Sequence, residues 1–144
     1  MAIQLLRGNA HVEYYPKTAS TAFTYGTMVS IPPTASGVGT LIATTFSSPS
    51  VIGLILKAVA ATDTDWASAT LVPVLVPDVD TEFLVTATGT AAATDVGEFI
   101  DATDNVSVNV AAYTYGAFLV KAVISATQVI VSMCKKSGPA ITTS

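Results

Sequence analysis

Short apolar runs separated by turn formers recur along the whole chain, and several of the runs alternate apolar and polar residues. The stretch from Val51 to Pro77, VIGLILKAVAATDTDWASATLVPVLVP, shows the pattern best. Its two apolar runs, Val51 to Val59 and Leu71 to Val76, are joined by an Ala/Thr/Asp segment with the sole tryptophan, Trp66. Val, Ile and Leu at that density, with Gly53, Pro73 and Pro77 inside or just after the runs, favour strands over helices. In Val106-Ser107-Val108-Asn109-Val110 the valines share one face, and Val129 and Val131 share a face opposite Ile130.

This patterning predicts strands at Thr27 to Ile31, Thr40 to Thr45, Val51 to Val59, Leu71 to Val76, Thr81 to Thr88, Glu98 to Ile100, Val106 to Val110, Phe118 to Ile124 and Gln128 to Met133. Turns are expected at Pro32 to Gly39, Ser47 to Ser50, Asp101 to Asp104 and Ser125 to Thr127, with a Gly/Ala/Thr-rich loop from Gly89 to Gly97. The one stretch with helical potential is Ala60 to Ala69, where Thr62 or Asp63 could cap a single turn. Many short strands at regular spacing predict an all-β fold, a single-domain β-barrel or β-sandwich.

Residues 1–22 read as an extended N-terminal arm, 23–134 as the β domain and 135–144 as a C-terminal tail. The arm holds Ile3, Leu5, Leu6 and Arg7, then HVEYYP, a short strand stopped by Pro16. Aromatic residues concentrate at protein interfaces. Leu5, Leu6, Arg7, Tyr14, Tyr15, Phe23 and Tyr25 are therefore the candidate partner-binding residues. The competing reading is that Tyr14, Tyr15, Phe23 and Tyr25 cap the protein's own sheets.

Composition narrows the classes of function. Of the 144 residues, 51% are hydrophobic and 11% charged, far below the roughly 25% charged of ordinary soluble domains. Partners covering the surface, or Thr, Ser and Ala in place of charges, would account for this. The run Val51 to Ala61 is interrupted by Lys57 and is too short for a membrane-spanning helix of about 20 residues. The N-terminus lacks a basic segment followed by an apolar core, so no secretory signal is expected. A net charge of −4 argues against nucleic acid as a partner. No Lys or Arg falls between Ala58 and Val120, so part of the surface should be acidic.

Reactive groups are scarce. His11 is the sole histidine and has no orienting partner nearby in sequence, which disfavours a catalytic triad. Asp63-Thr64-Asp65 and Asp101 with Asp104 resemble oxygen-ligand clusters, but the calcium-loop pattern is absent and aspartate suits turns by itself. Cys134 has no second cysteine to pair with and is expected to be a buried apolar residue. Gly37-Val38-Gly39 lacks the third glycine of a dinucleotide loop. No catalytic, metal-binding or cofactor-binding residue is expected, and the chain is not expected to be an enzyme.

Tyr25-Gly26-Thr27-Met28-Val29, Val51-Ile52-Gly53-Leu54-Ile55 with KAVAATDTDW, Val72-Pro73-Val74 and TGTAAATDVGEFID together resemble the head decoration, or cement, proteins of tailed bacteriophages. The likeness covers residues 23–133 and is one of strand and turn phrases. It implies an all-β virion protein, made in the host cytoplasm, that binds the outside of an icosahedral shell. The partner would be the major capsid protein, and the protein would be a homo-oligomer, with a trimer favoured. No catalytic residue comes with such a family. A tail-tube or fibre-associated subunit and a carbohydrate-binding or adhesin module are the alternatives.

Overall fold

The computed structural model describes residues 3–31, 39–45 and 51–133. Cys134, the predicted C-terminal tail and most of the two predicted turns at Pro32 to Gly39 and Ser47 to Ser50 lie outside the described residues. Among the described residues, eleven strands make up nearly all of the regular structure. They are β1 (Gln4–Arg7), β2 (Ala10–Pro16), β3 (Met28–Ser30), β4 (Ile42–Ala43), β5 (Val51–Ile55), β6 (Leu71–Pro77), β7 (Glu82–Thr88), β8 (Phe99–Ala102), β9 (Ser107–Asn109), β10 (Phe118–Ser125) and β11 (Gln128–Met133).

They form two sheets. The larger runs β1-β7-β11-β10-β8-β9, and a parallel pairing of β7 with β9 closes β7, β11, β10, β8 and β9 into a five-stranded barrel. Phe83, Val85, Ile100, Val108, Phe118, Val129 and Val131 fill its interior. The smaller sheet runs β2-β6-β5-β3-β4, and its two edges meet at the bridge between Lys17 and Leu41. Phe23, Val29, Leu41, Ile55, Val59, Val72, Val74 and Val76 pack inside it, with Trp66 against them. Met28 and Leu54 leave the smaller sheet to join the larger core, so the two sheets are packed on one another.

The segment set apart in sequence as an arm is extended, and it is hydrogen-bonded into both sheets. β1 pairs with β7, placing Leu5 opposite Phe83, and β2 pairs with β6 over its full length, from Ala10 opposite Pro77 to Pro16 opposite Leu71. Ile3, fully buried, anchors the start of this segment in the larger core. Everything from β2 to β6 thus sits between β1 and β7 in sequence. The two connections between the sheets run side by side. Asp78 N–H donates to Asn9 C=O at 3.3 Å, and the Thr81 hydroxyl reaches the same carbonyl. Gly8 has φ +92°, and a side chain there would overlap the carbonyl of Asp80, so only glycine fits this crossing.

Four predicted elements differ from those observed. Ala60 to Ala69 forms successive turns with no helical run. The carbonyls of Asp65, Trp66 and Ser68 turn towards the Lys17 ammonium and accept from it at 2.9, 3.2 and 2.5 Å. A single 3₁₀ turn lies at Ala93–Asp95, in the Gly/Ala/Thr-rich loop. Asp101, assigned from sequence to a turn, is a fully buried residue within β8. Val51 to Val59 is also shorter than expected: the ladder ends at Ile55, and Val59 rejoins the structure through a bridge to Phe23.

Candidate interaction surface

The period of two in β2 sorts its side chains onto two faces. Val12, Tyr14 and Pro16 stand opposite Leu75, Pro73 and Leu71, which places six apolar residues on one face of the ribbon. Tyr14 and Leu71 are each 63% exposed and Val12 50%. Leu75 also pairs with Leu54 of β5 and lines a cleft of about 440 Å³ together with Ile3, Gln4, Leu5, Tyr25, Gly26, Leu54 and Leu56. Leu75 therefore joins the exposed ribbon to the cleft, and the two form one continuous apolar surface.

The other face of β2 is polar. His11 Nε2 contacts the Glu13 carboxylate, His11 Nδ1 lies 3.7 Å from Asp78 Oδ1, and the Tyr15 hydroxyl donates to Glu13 Oε1 at 2.5 Å. Burial, then the hydrogen bond and negative charge of Glu13, push the Tyr15 phenol up to about 12. This row ties β2 to the connection at Asp78. Within this row the one hydroxyl, that of Tyr15, is held by Glu13.

The seven candidate residues fall into three groups. Leu5, Tyr14 and Tyr25 lie on the continuous surface, with Leu5 and Tyr25 42% and 50% exposed. Leu6 is also exposed, and Arg7 pairs with Glu82 at 2.9 Å beside it. Phe23 is buried in the smaller core, with its backbone bonded to Val59 in both directions. Tyr15 is half-buried against the same core, so it too serves the protein's own packing. Both aromatics pack on the protein's own smaller sheet.

Val12, Leu71, Leu75 and Leu56 were missing from the candidates. The alternation in Leu71-Val72-Pro73-Val74-Leu75-Val76 carries the signal, since one set of alternate positions is buried and the other is not. The pairing that brings this set beside Val12 and Tyr14 joins strands about 60 residues apart in sequence, and no local pattern reports it.

The acidic pairs serve the chain itself. Asp63 accepts from Ala60 N–H, Asp65 from the Thr70 hydroxyl, and Asp104 from Val106 N–H, Ser107 N–H and the Ser107 hydroxyl. The Thr70 hydrogen bond is the main cause holding the Asp65 carboxyl below its ordinary range. Among the described residues, no group of three or more His, Cys, Asp and Glu side chains is arranged to hold a metal ion. No helix among them is long and apolar enough to cross a membrane. No family model matches the chain, and no curated protein matches it.

Proposed function

We propose that the chain is a non-enzymatic virion structural protein that binds the outer surface of an icosahedral phage capsid and bridges neighbouring major capsid subunits, as a homo-oligomer with a trimer favoured. The observation that carries this reading is the continuous apolar surface running from Tyr14 and Leu71 through Leu75 into the cleft at Leu5 and Tyr25. Exposed apolar patches of this kind mark sites of association.

The strand and turn phrases that resemble those of decoration proteins, and the low charge content, point the same way. A shell-binding protein need not hold tightly at each site, because bridging makes the second contact intramolecular. Binding only the assembled shell stabilises it by mass action, by about 2–4 kcal/mol per site at saturating concentration. An interface of roughly 1,600 Å² is enough.

The test is quantitative mass spectrometry of purified particles from the source, counting this chain against the major shell protein. A ratio near one per shell subunit supports a decoration role. A few copies per particle would assign it to the tail or a fibre, and none would remove the virion reading.

A further inference from the structure

β2 pairs with β6 from Ala10 to Pro16 without a shift of register, and among the described residues no strand lies along its other side between Ala10 and Tyr14. Hydrogen bonds at the two ends of the ribbon show which way each residue points. Lys17 N–H donates to Thr70 C=O at 3.0 Å and Asp78 N–H to Asn9 C=O at 3.3 Å, so the main-chain groups of the odd-numbered residues face β6. Those of Ala10, Val12 and Tyr14 face outward, as Pro16 C=O does in accepting from Leu41 N–H at 2.9 Å. Sheet edges are commonly guarded by a bulge or a proline. β1 has a bulge between Leu5 and Arg7, whereas β2 has neither device before Pro16.

We infer that the outer edge of β2 pairs antiparallel with β2 of a second copy, about a two-fold axis at Val12. Val12 then faces Val12 of the second copy, and Ala10 faces Tyr14 of the second copy. Outward residues meet outward residues, so each facing pair exchanges two main-chain hydrogen bonds. The small side chain of Ala10 leaves room for the ring of Tyr14. On the polar face His11 meets Glu13 on both sides of the axis, so no carboxylate faces a carboxylate.

The sequence of β2 selects this register over its neighbours. Centring on Glu13 sets Glu13 against Glu13 and draws in Pro16, which has no N–H to give. Centring on His11 sets His11 against His11 and leaves Tyr14 facing Gly8 at the crossing. A slip of one residue sets outward groups against groups already bonded to β6.

The contact uses the edge of β2 and leaves its apolar face open, so the Val12, Tyr14, Leu71 and Leu75 faces of two copies lie side by side. An isologous contact of this kind closes at two copies. It stands apart from the shell-binding reading and does not need it.

Sedimentation velocity of the purified full-length chain, without particles, is the test. The wild type should shift from monomer to dimer as its concentration rises to about 100 μM. Val12→Pro removes an N–H that β6 does not use, so the fold should survive by circular dichroism while the dimer weakens at least about tenfold. His11→Glu should weaken it as well, by setting Glu against Glu13 across the axis, and adding Glu13→Lys to that variant should restore it. If Val12→Pro proves unfolded, the charge exchange decides alone. A wild type that stays monomeric or forms only trimers would overturn the inference, as would a dimer unchanged in folded Val12→Pro or a charge exchange that restores nothing. A chain that stays monomeric yet binds particles overturns this inference alone. One that dimerises as described but binds no particle supports it and counts against the shell-binding reading.

Discussion

The ammonium of Lys17 lies 2.5 Å from the main-chain carbonyl of Ser68, across 51 residues of sequence, in a position with no solvent exposure. Two further carbonyls, of Asp65 and Trp66, complete its set of acceptors. A lysine on the closing bridge of the smaller sheet thereby organises the whole connection between β5 and β6.

Replacing Lys17 with Met should destabilise the protein by roughly 2 kcal/mol, because the Ser68 carbonyl then loses its donor, while the Asp65 and Trp66 carbonyls keep the N–H groups of Ser68 and Ser20. Chemical denaturation checks the loss. Hydrogen exchange should locate it in residues 60–70, and an effect spread evenly over both sheets would contradict the assigned role.

Leu5→Ser, Tyr14→Ala, Tyr25→Ala and Leu71→Ser alter exposed side chains, so each should change stability by less than about 1 kcal/mol. Combined, they should abolish sedimentation with capsids. Undiminished binding by the folded variant would remove this surface from the proposal.

Phe23→Ala should behave in the opposite way. Phe23 is buried among Val29, Leu41, Ile55 and Val59, and its truncation should cost about 3–5 kcal/mol. Under conditions where the variant remains folded, particle binding should match the wild type.

Alkaline titration followed by ultraviolet absorbance should show the Tyr15 phenol ionising near pH 12. The unfolded phenol loses its proton near pH 10 while the folded one keeps it, so the unfolded state binds fewer protons in this window and stability falls as pH rises from 10 towards 12. Glu13→Gln should lower the value only in part, because burial is the largest cause. A return to about 10 in that variant would show that Glu13 alone sets it.

Strand positions were largely legible because period two and turn residues are local signals. β6, β7, β10 and β11 match the predicted runs within a residue or two at each end. Barrel closure was not legible: it depends on Thr86 to Thr88 lying parallel to Ser107 to Asn109, a pairing that leaves no trace in either segment. Lys17 and Asp101 were missed for a related reason. Each is a charged residue next to turn-like neighbours, and its burial follows from acceptors or donors that the chain supplies far away. Tyr14 and Tyr25 were singled out because aromatic type alone flags them. The same criterion picked Phe23 and Tyr15, whose facing direction was decided by β2, the Phe23–Val59 bridge and the smaller core.

The placement of β2 to β6 between β1 and β7 has a consequence for how the molecule assembles. During synthesis the smaller sheet has all of its strands once Pro77 has been made, and it can close around its own core at once. β1 has no partner until Phe83 and Leu84 follow, so it must wait through the making of about 75 residues, and its pairing then closes a very long loop. A chain halted before β7 would therefore carry Tyr14 and Leu71 but no cleft, and the surface offered to a partner is completed only after β7 has been made.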